Sequence, residues 1–163
     1  MRQQVNLTEY KKELEGARIL QLLPMNDMLL IDLERDLQLC LFHNSFWRII
    51  VNDDVIASSA DLYAKCRYGN ASWVGIFPPA IADKIEAMED FDETEATELL
   101  ENHINDLMSK IAECTLEKEV SNVTISSSRD IEVTLADNII IQAFTSFAES
   151  QGELPFELLK GNS

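Results

Sequence analysis

Apolar residues recur along the chain with two periods, and the switch between them divides it into parts. From Ala17 to Ser58, short apolar runs at Ile19 to Leu23, Met28 to Leu33, Leu37 to Phe42 and Phe46 to Val51 are separated by turn formers. The separators are Pro24-Met25-Asn26-Asp27, Glu34-Arg35-Asp36, His43-Asn44-Ser45 and Asn52-Asp53-Asp54. Runs of this length between such turns predict an antiparallel meander of four strands, with a fifth at Val55 to Ala57. The same grammar returns near the C-terminus, with Val120 to Ser126, Ile131 to Leu135 and Ile139 to Phe147 divided by Ser127-Ser128-Arg129-Asp130 and Ala136-Asp137-Asn138. The two meanders overlay with Leu33 to Leu39 on Leu135 to Ile141 and Phe42 on Phe144, which is how a duplication would look. Any two antiparallel hairpins with acidic turns also align in this way.

Between the meanders the period becomes helical. Ala96, Leu99, Leu100, His103, Ile104, Leu107, Met108, Ile111 and Ala112 fall at i, i+3, i+4 and i+7, predicting a one-sided helix over Glu95 to Glu113 that Asp92 or Thr94 can cap. A shorter helix is expected from Pro79 to Met88, with its proline in the first turn. At the N-terminus, Asn6 and Glu9 frame a short capped helix from Leu7 to Glu15 that ends before Gly16 and acts as a lid. The segment Ser59 to Pro78 shows neither period and is long enough to be a functional loop. Together these elements predict an α+β fold. Antiparallel β-meanders, with duplication as one reading, carry a long amphipathic helix packed on a sheet face.

Charge adds what the pattern cannot. The chain of 163 residues carries 29 acidic against 13 basic side chains, a formal charge of −16. Between Lys84 and Lys110 stand nine carboxylates, Glu86, Glu89, Asp90, Asp92, Glu93, Glu95, Glu98, Glu101 and Asp106, with no lysine or arginine among them. Such a surface repels nucleic acid and anionic membrane and attracts basic partners. With 46% hydrophobic residues the chain is not a disordered acidic tail; one domain spanning residues 1–163 is expected.

Cys40, Cys66 and Cys114 form no C-x-x-C pair, so neither a disulfide framework nor a zinc site is expected, and a reducing cytoplasm fits. The polar stretch Met1 to Gly16 is unlike a secretory signal, and no apolar run approaches a membrane span.

Candidate chemistry is sparse. Acid catalysis needs two carboxylates in different environments, whereas those of the acidic run occupy polar helix positions and read as a solvated face. Neither Asp90-Phe91-Asp92-Glu93 nor Asn52-Asp53-Asp54 has the spacing of a calcium loop, so no metal or other cofactor is expected. His103 lies on the apolar stripe as a packed imidazole, and His43 sits in a turn whose strand geometry separates it from Cys40. No phosphate-cradling glycine motif occurs, and Lys65-Cys66-Arg67-Tyr68 is the nearest approach to a basic patch. Two features stand out. Arg48 lies between Trp47 and Ile49 in a strand, where it reaches solvent or pairs with Asp32 or Asp61. Trp73 to Phe77 offers aromatic side chains that either cover a sheet or anchor a partner.

The run Met28 to Leu33, the strand Leu37 to Leu41, Phe46-Trp47-Arg48-Ile49 and Ser59-Ala60-Asp61-Leu62-Tyr63 together resemble a pattern found in small uncharacterised bacterial proteins. In those proteins a W-R-I strand precedes an S-x-D-x-Y segment, and a hairpin like Ile131 to Phe144 follows. The similarity covers about half of the chain and leaves out the insert from Lys84 to Lys110. It implies no named activity. As a class, small acidic bacterial proteins of this kind are also similar to the immunity proteins that neutralise basic nuclease toxins.

The sequence therefore points to a non-enzymatic acidic binding protein that inhibits a basic toxin domain, without direct contact to nucleic acid or membrane. Glu89, Asp90, Asp92, Glu93, Glu95, Glu98 and Glu101 would face the toxin's substrate groove, with Trp73 and Phe77 as anchors. An alternative is a small ligand-binding or hydrolytic domain with a pocket formed by Asp32, Arg48, Asp61 and Tyr63, the arginine holding an anion and a carboxylate acting as base. A further alternative is a subunit of a larger assembly, its acidic face serving solubility.

Overall fold

The structure, a computed structural model, describes residues 1–25, 27–43, 45–62, 65–69, 72–145 and 154–161, with the backbone alone at 65–69 and 72–76. The first run forms strands β2 (Ile19–Pro24), β3 (Met28–Leu33), β4 (Leu37–Phe42), β5 (Phe46–Val51) and β6 (Asp54–Ser58), but it is not the single meander expected. Strands β2, β3 and β4 pair in sequence, whereas β5 and β6 belong to the other sheet, a choice of partner that alternation alone does not encode. The second forms β9 (Val120–Ile125), β10 (Ile131–Leu135) and β11 (Ile139–Phe144). Alternation decides the facing: β3 buries Leu29, Ile31 and Leu33, and β11 buries Ile139, Ile141 and Ala143.

Besides a hairpin in the segment expected as a loop, two strands escape the sequence pattern. Arg2–Gln4 is polar and exposed, yet forms β1 by pairing with β12 (Phe156–Gly161), which in turn pairs with β4. The expected strand through Phe147 ends at Phe144, and Phe147 lies outside the described residues, as do Asn26, Asn44 and Tyr63.

The strands make two antiparallel sheets, β1-β12-β4-β3-β2 and β6-β5-β11-β10-β9. Their inner faces share one core, which includes Leu22, Leu39, Leu41, Phe156 and Leu158 from the first sheet and Trp47, Ile49, Val133 and Ile141 from the second. Burial of this apolar surface supplies the main driving force for the fold.

The two sheets repeat one three-strand arrangement. The hairpins β3-β4 and β10-β11 close on the equivalent pairs Leu33↔Leu37 and Leu135↔Ile139, and positive φ angles fall at equivalent turn positions, Arg35 and Asp36 in one, Asp137 and Asn138 in the other. A β-bulge also recurs, at Leu20 where β2 meets β3 and at Ser121 where β9 meets β10. Bulges at equivalent places are a feature that unrelated hairpins need not share. The overlay seen in the sequence is therefore a repeated unit of three strands.

The expected N-terminal helix is a 3-10 turn at Leu7–Glu9 followed by α1 (Tyr10–Leu14), and Asn6 makes no side-chain cap. Helix α1 is held instead by burial of Tyr10 and Leu14 and by Arg35, whose Nη1 donates to the carbonyls of Glu13 and Glu15 at the helix end. The segment expected as a loop folds into α2 (Ser59–Leu62) and the hairpin β7 (Lys65–Gly69) with β8 (Ser72–Ile76). After it come α3 (Pro79–Glu86) and α4 (Glu93–Thr115), the long helix one turn longer than its apolar stripe predicts. Helix α4 packs against β2 and β6, and its Ile104, Leu107, Met108, Ile111 and Ala112 complete the core. Among the described residues no helix is long and apolar enough to cross a membrane.

Candidate functional site

The acidic run is presented by a helical arm with its own small core. Ile81 and Ile85 of α3 pack with Ala96 of α4, and Phe77, Met88, Leu99 and Leu100 close around them. This cluster is separate from the main core, so the first half of α4 is held by α3 and the second half by the two sheets. Helical periodicity alone predicts one continuous stripe; the division appears only once α3 folds back on α4.

At the turn between the helices, Asp92 Oδ1 accepts from the backbone N–H groups of Thr94 at 3.0 Å and Glu95 at 3.2 Å. This cap satisfies donors that the first helical turn leaves open, and the carboxylates of Glu93 and Glu95 sit where the helix dipole favours negative charge. Glu86, Glu89, Asp90, Glu93, Glu95, Glu98 and Glu101 are all exposed. Five ion pairs lie elsewhere, joining Arg2 to Asp36, Lys11 to Glu15, Lys12 to Glu9, Lys118 to Asp137 and Lys160 to Glu13. The arm's field is therefore not cancelled by these pairs.

Of the two expected anchors, Phe77 is half-buried on the arm's own cluster, while the side chain of Trp73 lies outside the described residues. Phe91, between Asp90 and Asp92 at the turn of the arm, is the exposed aromatic there, at 37%. The sequence pattern did not single it out because an isolated aromatic in a charged run has no periodicity.

Of the residues of the alternative pocket, Tyr63 lies outside the described residues, and Asp32 and Arg48 lie on different sheets. Asp32 lies on the outer face of the first sheet, accepting a hydrogen bond from Gln38 Nε2 at 2.8 Å. It lines a hollow of about 520 Å³ together with Arg2, Gln21, Glu34, Arg35 and Gln38. Arg48 lies on the outer face of the second sheet. There its Nε donates to Gln142 Oε1 at 2.7 Å, Gln142 Nε2 donates to Glu132 Oε2 at 2.8 Å, and the guanidinium stands 5.5 Å from the Phe144 ring centre. Asp61 is close to this row, since its Oδ2 accepts from the backbone N–H of Ser58 at 2.8 Å and Ser58 pairs with Arg48 in register. Among the described residues Arg48 forms no ion pair with either aspartate. Gln142 and Glu132 could not be assigned as its partners from the sequence, because that pairing depends on which strand β5 joins.

Both histidines are accounted for by packing. His103 Nε2 lies 2.7 Å from the Asp61 carbonyl and so ties α4 to α2. His43 is buried beside Trp47, with ring centres 5.9 Å apart, and its Nε2 lies 3.3 Å from the Met25 carbonyl. Burial lowers its pKa from the ordinary imidazole value, against smaller opposing effects of that carbonyl and of Asp27. Burial raises the Cys40 thiol to about 11, which leaves it protonated and unreactive at neutral pH. Among the described residues no three His, Cys, Asp or Glu side chains are grouped to hold a metal ion.

No protein-family model matches this chain, and neither the curated proteins nor the solved structures contain a match to it.

Proposed function

We propose that the protein is a non-enzymatic binding protein whose acidic α3-α4 arm captures a basic protein partner, and that this partner is a nuclease toxin whose substrate groove the arm occupies in the cytoplasm. The observation that carries this reading is the row of exposed carboxylates on the arm. A groove that binds nucleic acid is lined with lysine and arginine, and an acidic helical ridge is complementary to it. Electrostatic steering would speed encounter by a factor of about 10 to 1,000 and would fade as salt shortens the screening length to about 8 Å at physiological ionic strength. Burial of Phe91 at the turn of the arm would then slow dissociation.

The test is co-expression with the product of the neighbouring reading frame, where a toxin with a basic C-terminal domain is expected. Protection of growth, together with an association rate that falls steeply with salt and falls again when Glu89, Asp90, Glu95, Glu98 and Glu101 are changed to their amides, supports the proposal. Failure to protect, or binding indifferent to both salt and these changes, refutes it.

A further inference from the structure

The repeated unit is larger than three strands, and its last strand is exchanged. Strand β5 follows β4 in the chain but pairs with β11, and β12 follows β11 but pairs with β4. In these pairings Trp47 and Ile49 of β5 occupy the places that Phe156 and Leu158 of β12 occupy in the other sheet, and all four side chains are buried. Each half thus donates its fourth strand to the sheet of the other.

The helices obey the same symmetry. Tyr10 and Leu14 before β2 correspond to Ile111 and Thr115 before β9, all four buried. Gly16 and Glu117 both have positive φ. The hydrogen bonds around this junction are reciprocal: Gly16 N–H donates to Val120 O at 2.8 Å and Glu117 N–H to Ile19 O at 2.9 Å, while Val120 N–H donates to Ala17 O at 2.9 Å and Ile19 N–H to Lys118 O at 3.1 Å. Arg18 and Glu119, which are equivalent positions, bridge to each other, so the pseudo-twofold axis passes between them. Self-complementary contacts of this kind define a twofold dimer interface.

We infer that residues 1–62 and 93–161 are the two partners of a strand-exchanged dimer fused into one chain, and that a second copy of the chain can supply either half. Neither half can close its own sheet, since removing the other leaves β4 or β11 with an unpaired edge along its full length. The described residues of the connection through 63–92 contribute no strand to either five-stranded sheet, so it tethers the halves without completing them. Exchange of identical elements between copies is a low-cost route to assembly when the element already crosses between two bodies.

The experiment uses the full chain with a protease recognition sequence inserted between Met88 and Phe91, where Glu89 and Asp90 are exposed. After cleavage the pieces are expected to elute together with an unchanged far-ultraviolet spectrum. Separated in denaturant, each piece alone is expected to lack the native spectrum and the mixture to recover it. Pieces that part without denaturant, or a piece that regains native structure alone, overturn the inference.

The second-copy arm uses Glu157→Cys with Cys66→Ser and Cys114→Ser, because position 157 pairs with Cys40 across β12 and β4. Oxidised during refolding at rising concentration, this chain is expected to yield disulfide-linked dimers with a native spectrum and no free thiol, in a fraction that grows with concentration. Only internally linked monomers at every concentration would remove the second copy from the inference.

Discussion

Arg18 and Glu119 pair in a single antiparallel bridge, each occupying the same position in its own half of the molecule. The two residues preceding them by two positions, Gly16 and Glu117, therefore face the same backbone demand, a φ of 87° in one and 66° in the other. One half meets that demand with a glycine and the other with a residue that carries a Cβ. A left-handed conformation costs a non-glycine residue about 1 to 2 kcal/mol. Gly16→Ala should destabilise by at least that much, because the new Cβ would also come 2.8 Å from Arg35 Nη2. Glu117→Gly should be neutral or gain up to about 1 kcal/mol, the relief exceeding the extra chain entropy. Urea midpoints at unchanged slope measure both, and equal signs would contradict the equivalence.

Trp47 presents a different balance. It is fully buried on the exchanged strand, but its indole Nε1 has no hydrogen-bond partner among the described residues. Trp47→Ala opens a large cavity and should cost about 3 to 5 kcal/mol. Trp47→Phe also loses volume, yet it removes a buried donor left unsatisfied, a defect worth about 1 to 3 kcal/mol. The phenylalanine variant should therefore stay within about 1.5 kcal/mol of the parent, again read from the unfolding midpoint.

These residues also show what the sequence could carry. Strands β3, β10 and β11 were legible because each buries alternate side chains, and α4 because its apolar stripe is long. Strand β1 was not, since Arg2–Gln4 has no apolar face and is a strand only because β12 lies beside it. The exchange was invisible for a related reason: Phe46 to Val51 has the same alternation whether it joins β4 or β11. For the candidate site, the acidic arm could be read by counting charge. The partners of Arg48 could not, because Gln142 comes beside it only through that same exchange.

Tyr10 closes an edge of the first sheet. Its hydroxyl accepts from the Leu158 backbone N–H at 2.8 Å, and its ring meets Phe156 edge-on at 5.7 Å. Tyr10→Phe keeps the ring and strands the amide, so a loss of about 1 to 3 kcal/mol is expected. Burial raises the phenol to about 12, the Leu158 bond opposing and nearby Glu157 adding to it. With the folded value above the unfolded value of 10.0, this contribution is complete below pH 10 and is lost as pH rises toward 12. Unfolding measured between pH 9 and pH 11 should fall more steeply for the parent than for Tyr10→Phe.

His43 sets the opposite slope. Its folded pKa lies below the ordinary value of 6.5, so the neutral ring is the form that folding favours. The stability this provides is present above pH 6.5 and is lost as pH falls through the folded value. His43→Gln cannot acquire charge, and it should flatten the decline in unfolding midpoint between pH 7 and pH 5. An unchanged decline would assign it to other groups.

Asp92 combines two roles that substitution can separate. As a cap it accepts two backbone N–H groups, and as an anion it belongs to the surface proposed to meet a basic partner. Asp92→Asn retains an acceptor of the same shape and loses the charge, whereas Asp92→Ala loses both. Loss of the cap should cost about 0.5 to 2 kcal/mol. Because the arm packs on its own cluster of Ile81, Ile85 and Ala96, that cost should fall locally. Amide exchange should then quicken over Glu93 to Leu100 in the alanine variant while β3, β4, β10 and β11 keep their protection. The asparagine variant should leave exchange nearly unchanged. If charge steers association, both variants should slow the on-rate to a basic partner equally, and only the alanine variant should also raise the off-rate. An on-rate lowered by alanine alone would instead show that the cap's geometry, rather than the field of the arm, governs capture.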